Sequence, residues 1–193
     1  MSLHDHIPAA LRGERAAQRA LFAALAPQAF RVAMRYVRER ADAEDIVQEA
    51  MARTFHALDR FDAARGRLET WAYRIAVNES LRYLKRRRGA LLFVEHDGEL
   101  PAHIDREPLA TDHLAAADLR RLILRLPDGY RAVFNLAEVE GYAHDEIAAT
   151  LDISPATSRS QLARAKRLLR KWIAPPQGST DTPPSTLAQI AAL

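Results

Sequence analysis

The dipeptide Ser154-Pro155, which follows closely after Gly141, constrains the fold more than any other feature of this sequence. Glycine readily takes the left-handed conformation of a helix C-terminal cap, so a helix is expected to end at Gly141. Ser154 can cap a new helix and Pro155 can occupy its first turn. Asp152, which lies between Gly141 and Ser154, can adopt the left-handed conformation of a tight turn at modest cost. The intervening apolar residues recur at helical spacing: Ile147, Ala148 and Leu151. The segment therefore predicts a helix at about residues 144–151, a tight turn and a second helix, and the helix that ends before Gly141 is expected over about residues 128–140.

The second helix of this pair, predicted over residues 155–173, has a core-facing side and a basic side. The core-facing side comprises Ser158, Leu162, Ala165 and Leu169. The opposite side comprises Ala156, Arg159, Ser160, Ala163, Arg164 and Arg167. Small residues let a helix enter a DNA groove, and arginines bind phosphates or guanine edges. A basic face alone is also typical of a solvated surface, but the preceding helix and turn favour a DNA-binding helix-turn-helix. We expect the Ser158 hydroxyl to bond back to the carbonyl one turn earlier.

The charge distribution divides the chain into four parts. Residues 1–88 and 118–173 each hold more basic than acidic residues, whereas residues 89–117 hold six acids and one base. The acidic part also contains glycines and prolines and lacks helical spacing, which predicts a linker. This arrangement indicates two phosphate-facing domains joined by a segment that avoids phosphate. The proline-rich residues 174–193 predict a disordered tail.

Helical spacing predicts three helices in the first domain, and nothing there indicates a strand. They are expected over residues 18–37 with a break at Pro27, over residues 43–58 with Asp42 as N-cap, and from about 68 to 87. We expect the N-terminal segment that carries His4 and His6 to be frayed. The predicted fold class is all-α, with two small helical domains joined by a flexible linker.

Composition excludes several classes of function. The chain has no cysteine, which removes disulfides and thiolate zinc sites, and its histidines are scattered. No apolar run approaches the roughly 18 residues of a membrane span, and the N-terminus lacks a signal-peptide core, so a cytoplasmic location without membrane insertion is expected. The carboxylates form no recognisable metal or acid-base constellation. We therefore expect no catalytic residues, no bound metal and no cofactor.

Three segments resemble extracytoplasmic-function (ECF) sigma factors of the sigma-70 family. DAEDIVQEA at residues 42–50 is similar to the core-polymerase-binding motif of region 2, and WAYRIAVN at residues 71–78 is similar to its promoter-melting motif. Residues 126–170, from LPDGYRAVF to RAKRLLR, resemble region 4. The resemblance implies region 2 within residues 1–88 and region 4 within residues 118–173. It also implies a subunit that directs core RNA polymerase to promoter DNA, with an anti-sigma factor as a further partner.

The resemblance also assigns candidate contact residues to each surface. The residues implied to bind core polymerase are Asp45, Ile46, Gln48 and Glu49. Among them, Asp45, Gln48 and Glu49 have the spacing of neighbours on a helix. Without the family match, a solvated acidic face is the favoured explanation of these residues. Contacts to the minus-ten element fall on Asp62, Arg65, Trp71, Tyr73, Arg74, Asn78, Arg82 and Lys85. Contacts to the minus-thirty-five element fall on Thr157, Arg159, Ser160, Gln161, Arg164 and Arg167.

Physical reasoning supports the minus-ten assignment. Aromatic rings can stack on unpaired bases, and a row of cations can follow the phosphates of a single strand. Trp71 is also explained as a core residue, and both possibilities stay open. The loop of residues 62–67 resembles the family loop that captures a flipped base, and its Gly66 permits a close backbone approach.

Several residues depart from the family pattern. The family commonly has aspartate in place of Arg82 and arginine in place of Val77. Its recognition helix commonly carries valine and arginine where Ser158 and Gln161 stand, and Ala143 replaces a frequent capping serine or threonine. We expect an altered promoter preference with the same mechanism. A helix-turn-helix regulator that does not recruit polymerase is the alternative function, and a nucleic-acid-processing enzyme is a weaker third possibility.

Overall fold

The computed structural model describes residues 3–88 and 116–173, and every regular element within these ranges is helical. The all-α prediction is confirmed. The chain divides into two compact units, Met1–Arg87 and Arg88–Leu193. The predicted linker at residues 89–117 lies outside the described residues except for its last two positions, and the predicted tail at residues 174–193 lies outside them entirely.

Four α-helices build the first unit. A single 3₁₀ turn precedes them at Leu3–His6, and two more, Leu58–Arg60 and Ala63–Arg65, connect the third helix to the fourth. The helices are α1 at Ile7–Leu11, α2 at Arg15–Tyr36, α3 at Arg40–His56 and α4 at Leu68–Arg88.

Helix α2 is continuous through Pro27, so the predicted break is wrong. Proline removes one helical hydrogen bond and crowds the preceding turn, which costs about 3 kcal/mol in an isolated helix. Here α2 packs along α3, and its buried residues lie on both sides of the proline. They are Ala17, Leu21, Leu25, Ala29, Val32, Ala33 and Tyr36. Burial of this face in both halves of the helix compensates for the local cost.

Helix α3 begins at Arg40, so Asp42 lies inside its first turn and the prediction of Asp42 as N-cap is wrong. The N-cap position is Glu39, whose side chain makes no capping hydrogen bond. The Asp42 carboxylate instead accepts a hydrogen bond from the Tyr83 hydroxyl at 2.6 Å and pairs with Arg87. Because Tyr83 and Arg87 both belong to α4, Asp42 ties the start of α3 to the C-terminal half of α4.

The N-terminal segment is folded rather than frayed from Leu3 onward. It forms a 3₁₀ turn followed by α1, and both pack against α2. The Gln18 side chain donates a hydrogen bond to the Ala10 carbonyl at 3.3 Å, and the His4 ring lies 5.6 Å from the Phe61 ring. These contacts anchor the segment to the body of the unit.

The second unit contains α5 at Ala116–Arg125, α6 at Asp128–Phe134, α7 at His144–Leu151 and α8 at Pro155–Ile173. The predicted bounds of the last two helices, 144–151 and 155–173, are confirmed. A single helix was expected over residues 128–140, but the chain changes at Asn135 to a π-helical turn, Asn135–Val139.

A compact apolar core joins α5, α6 and α8. Its buried members are Leu119, Leu122, Leu126, Tyr130, Phe134, Ala165, Leu168 and Leu169. Arg131 lies 2% exposed beside this core and pairs with Asp128 at 2.5 Å. Its guanidinium also donates to the carbonyl of Leu126 at 2.8 Å. Arg131 thereby satisfies carbonyl groups at the end of α5, which a helix terminus would otherwise leave without partners.

Candidate functional site

The outer face of α3 is polar and partly acidic. Asp45, Gln48 and Glu49 are exposed there, as their helical spacing predicted. Ile46 is 1% exposed and packs in the core with Val47 and other apolar residues of α3, so its side chain cannot belong to this surface. The prediction that Ile46 contacts the polymerase does not fit this buried position. Asp45, Gln48 and Glu49 present acceptors and an amide that suit a basic partner surface.

The outer face of α4 carries a polar and cationic row. Arg74, Asn78, Arg82 and Lys85 are all exposed and recur at helical spacing along one side of the helix. Such a row can follow the phosphates of a single strand. Arg82 differs from the other members of the row, because its side chain already forms an ion pair.

The partner of Arg82 is Glu79, a carboxylate only 1% exposed. One Glu79 oxygen, Oε1, lies 2.5 Å from Nη1 of Arg82 and 2.6 Å from Nε of Arg53 on α3. A buried carboxylate requires such partners, since removing a charge from water is costly unless it is paired. Arg82 therefore has a structural role in addition to its predicted DNA contact, and the sequence pattern did not reveal it.

The two aromatic residues at the start of α4 are half-buried. The Trp71 ring lies 5.5 Å from the Phe61 ring, which also contacts His4. The Tyr73 hydroxyl accepts a hydrogen bond from Arg35 at 2.6 Å. Trp71 thus combines packing with partial exposure, so both of its predicted roles are compatible with this position.

The loop before α4 is built by local hydrogen bonds. Asp62 caps the turn Ala63–Arg65 by accepting from the Ala64 backbone N–H at 2.9 Å, and its second oxygen lies 3.3 Å from Nε of Arg65. Gly66 has φ +145°, a conformation that favours glycine. Asp62 and Arg65 are both exposed.

An ion pair follows directly where this loop joins α4. Arg67 donates to Glu69 at 2.9 Å, and this hydrogen bond lowers the pKa of the Glu69 carboxyl and raises the pKa of the Arg67 guanidinium. The loop thus presents Asp62 and Arg65 on a locally ordered backbone.

The predicted caps and turns of the helix-turn-helix are confirmed. Gly141 has φ +73° and Asp152 has φ 60° and ψ 49°, so both occupy the left-handed region. Ser154 Oγ accepts from the backbone N–H of Thr157 at 2.9 Å and so caps α8. At the start of α7, Glu146 accepts from the Ala143 backbone N–H at 2.8 Å, which supplies one half of a capping box although Ala143 has no polar side chain.

The predicted DNA-facing residues of α8 fall into three groups. Arg159 and Arg167 are exposed, whereas Thr157, Ser160 and Arg164 are half-buried. Gln161 is 2% exposed, so the prediction that it contacts DNA does not fit its position. At about 100° per residue, Gln161 falls beside Leu168 on the core side of the helix, a placement that the helical wheel could have shown.

Ser158 lies on the core side as predicted, but its predicted bond to its own helix is not made. The Ser158 hydroxyl is instead 2.9 Å from Nδ1 of His144, the first residue of α7. This contact joins the two helices of the motif and satisfies a hydroxyl that is completely buried. A second polar contact involves α8, because Nζ of Lys166 lies 2.8 Å from Oε1 of Glu138. The sequence pattern does not indicate this contact either.

Within residues 3–88 and 116–173, no cluster of histidine and carboxylate side chains could hold a metal ion. None of the helices described there is long and apolar enough to cross a membrane.

Two family profiles match this chain. Sigma-70 region 2 matches residues 21–90, and Sigma-70 region 4 matches residues 116–169. The first match includes α3 and α4, and the second includes α5 to α7 and most of α8.

Curated relatives are similar over more than two thirds of this chain. The ECF RNA polymerase sigma factor SigE of Mycolicibacterium smegmatis is 32% identical over 152 residues, which are 77% of this chain and 58% of that protein. The ECF RNA polymerase sigma-E factor of Escherichia coli K12 is 33% identical over 150 residues, which are 69% of this chain and 75% of that protein. The chain thus spans less than two thirds of the mycobacterial relative.

A solved structure has a similar fold. It is the sigma factor RpoE in complex with the anti-sigma factor NepR from Bartonella quintana. The match has a TM-score of 0.50 and 21% sequence identity, and it covers 80% of this chain and 95% of that one.

Proposed function

This chain belongs to the ECF group of the sigma-70 family, and we propose that it directs core RNA polymerase to specific promoters and assists their melting. The observation that carries the proposal is the combination of three surfaces in one chain. A polar, acidic face on α3 accompanies a cationic row on α4, and a capped helix-turn-helix follows in the second unit. We expect the protein to act with the polymerase in the cytoplasm and to have no enzymatic activity of its own.

The outer face of α3 is the proposed polymerase-binding surface. Asp45, Gln48 and Glu49 are exposed, and the buried residues behind them hold α3 against α2. Replacing both Asp45 and Gln48 by alanine should lower the affinity for purified core polymerase at least tenfold, while the helix content of the protein stays unchanged. Glu14→Ala is the matched control, because Glu14 is exposed and pairs only locally with Arg12 at the surface. Equal affinity of the double variant and the control would remove α3 from the proposed interface.

The outer face of α4 is the proposed minus-ten surface. Arg74, Asn78 and Lys85 can contact a displaced strand, and the half-buried Trp71 can offer part of its ring to an unpaired base. Asn78→Ala should reduce promoter opening, measured as permanganate reactivity of unpaired thymines, without changing core binding. Arg31→Ala on α2 provides a control that removes an exposed residue elsewhere in the same unit. Unchanged opening by the Asn78 variant would count against this surface.

Helix α8 is the proposed recognition helix for the minus-thirty-five element. A side chain that contacts a base edge contributes about 1–3 kcal/mol of discrimination, whereas a phosphate contact affects all sequences and steepens the salt dependence. Arg159 lies near the start of α8 and Arg167 two turns further on, both exposed. We expect Arg159→Ala to relax sequence preference and Arg167→Ala to weaken binding to all sequences. Competition between promoter and random duplexes in filter binding distinguishes these outcomes.

The domain assignment follows from these surfaces. We propose that residues 1–88 form region 2, that residues 118–173 form region 4 and that the acidic residues 89–117 connect them; the predicted tail at residues 174–193 lies outside the described residues. The Bartonella structure contains a sigma factor bound to an anti-sigma factor. By similarity we expect an anti-sigma partner here that masks the polymerase-binding and DNA-binding surfaces.

A helix-turn-helix regulator that binds DNA without polymerase is the alternative. It explains α7 and α8 but gives no role to the exposed polar face of α3. Affinity for core polymerase in the absence of DNA distinguishes the two functions, because only the sigma factor requires that interaction.

A further inference from the structure

An acid of a neighbouring element neutralises Lys166 of helix α8. Nζ of Lys166 lies 2.8 Å from Oε1 of Glu138, which belongs to the π-helical turn Asn135–Val139. The Glu138 side chain is 16% exposed and the Lys166 side chain is 32% exposed. The pair is therefore partly shielded from water, and its attraction is less screened than that of a surface ion pair.

Lys166 lies on the flank of α8 that carries Arg159, one of the proposed DNA contacts. It follows Arg159 by two helical turns and precedes Arg170 by about one turn, so the three side chains project from the same side. Arg159 and Arg170 are exposed, whereas Lys166 is half-buried and held by Glu138. Among these three cations, Lys166 is thus the one drawn toward an acid of a neighbouring element.

The local backbone explains how an acid reaches this position. Helix α6 packs against α8, and the π-helical turn continues directly from α6. The Glu140 backbone N–H donates to the Asn135 carbonyl at 2.9 Å, which closes the wider turn. Single π-helical turns are frequent at functional sites. Here the turn bears the carboxylate that contacts the recognition helix.

We propose that Glu138 is a specificity-determining residue that prevents Lys166 from binding DNA phosphate. This proposal rests on the proposed recognition of DNA by α8. A lysine on a flexible stem binds phosphate as a point charge and carries no sequence information, so a free Lys166 would strengthen binding to every sequence equally. Holding it against Glu138 leaves Arg159 and Arg167 to make the contacts, and the ratio of specific to non-specific affinity rises.

The salt dependence of binding to a random-sequence duplex tests the proposal. Each additional phosphate contact steepens the plot of log affinity against log salt by about 0.9. Glu138→Gln should therefore bind more tightly at 50 mM salt, and its advantage over the unmodified chain should fall about 3.5-fold between 50 and 200 mM salt. Lys166→Gln alone should leave the slope unchanged, and Lys166→Gln combined with Glu138→Gln should abolish the steepening.

Asp118→Asn is the matched control. It removes the same charge from the same unit, but the partner of Asp118 is Arg121 on α5, at 3.9 Å. Its slope should equal that of the unmodified chain. If Asp118→Asn and Glu138→Gln steepen the plot of log affinity against log salt equally, the effect comes from net charge alone and the proposal is overturned. If Glu138→Gln lowers the melting temperature but leaves the slope unchanged, the ion pair only stabilises the fold, and the proposal is overturned as well.

A further variant separates this proposal from the proposed function. Replacing Arg159 and Arg167 together by alanine should flatten the slope if α8 binds DNA. A flattened slope in that variant with no change in Glu138→Gln refutes the role of Glu138 alone. If neither variant changes the slope, α8 does not contact DNA, and the proposed recognition role fails together with the role of Glu138.

Discussion

Replacing Arg53 and Arg82 together by alanine would leave Glu79 buried without the two cations that contact it. Glu79 is 1% exposed, whereas the Arg53 and Arg82 side chains are 49% and 54% exposed. Both guanidinium groups contact the same Glu79 oxygen, at 2.6 and 2.5 Å. The buried Glu79 carboxylate therefore needs the two arginines to compensate its charge. Water can solvate the exposed arginines, so they do not need Glu79 to the same extent.

This asymmetry predicts a strongly non-additive loss of stability. Either arginine alone keeps Glu79 paired, so we expect each single variant to cost about 1 kcal/mol, since partial exposure weakens each interaction. Loss of all cationic partners of a buried charge costs about 3–5 kcal/mol. The double variant should therefore lose about 4 kcal/mol, roughly 2 kcal/mol more than the sum of the single variants, which is within the range of coupling for residues in one network.

Urea unfolding monitored by tryptophan fluorescence measures this loss. The chain has two tryptophans, so Trp172→Phe leaves Trp71 as a reporter of the first unit. A loss of about 4 kcal/mol should lower the midpoint by about 2 M if the denaturant dependence is about 2 kcal/mol per M. Adding Glu79→Gln should recover most of the loss, because the buried charge is then gone. Additive single effects, or no recovery by Glu79→Gln, would refute the reasoning.

Three other predictions concern individual side chains. Ser154→Ala removes the cap of α8 and should cost about 1 kcal/mol, measured as a lower melting temperature of the second unit, whereas Ser154→Asp should retain most of the stability. Gly141→Ala places a β-carbon at φ +73° and should cost about 1–2 kcal/mol in the same assay. Burial, and then the hydrogen bond to Asp42, raise the pKa of Tyr83. The protonated phenol therefore stabilises the fold below its ordinary pKa, and this contribution is lost as the pH rises through the folded-state pKa. Asp42→Asn should lower that pKa, which tyrosinate absorbance detects by comparison with a Tyr83→Phe chain.

Local signals predicted the second half of the second unit closely. Gly141, Asp152, Ser154 and Pro155 each have a conformational preference that acts within a few residues, so both ends of α7 and the start of α8 followed from the sequence. Long-range contacts decide the remaining features. Pro27 was expected to break α2 because its local cost is high, but packing of α2 against α3 keeps the helix continuous.

The sequence predicted which helix faces are exposed, but it was less reliable for the individual side chains on those faces. Helical spacing correctly separated the exposed Asp45 and Gln48 from the core of α3, but the family motif also brought in Ile46, which is buried. Arg82 was assigned to DNA from its place in a row. Its ion pair with Glu79 lies within α4 at a spacing of three residues, which the helical pattern indicates, whereas the second partner of Glu79, Arg53, belongs to a different helix and no local pattern reveals it.

The most direct test of the proposed function is transcription by purified core polymerase with and without this chain. Genomic fragments serve as templates, and the 5′ ends of the RNA products are mapped. We predict discrete start sites that appear only when the chain is added, preceded by shared minus-ten and minus-thirty-five elements. Those starts should weaken in the Asp45 and Gln48 double variant and in Asn78→Ala. Absence of chain-dependent start sites, with DNA binding intact, would contradict the assignment as a sigma factor.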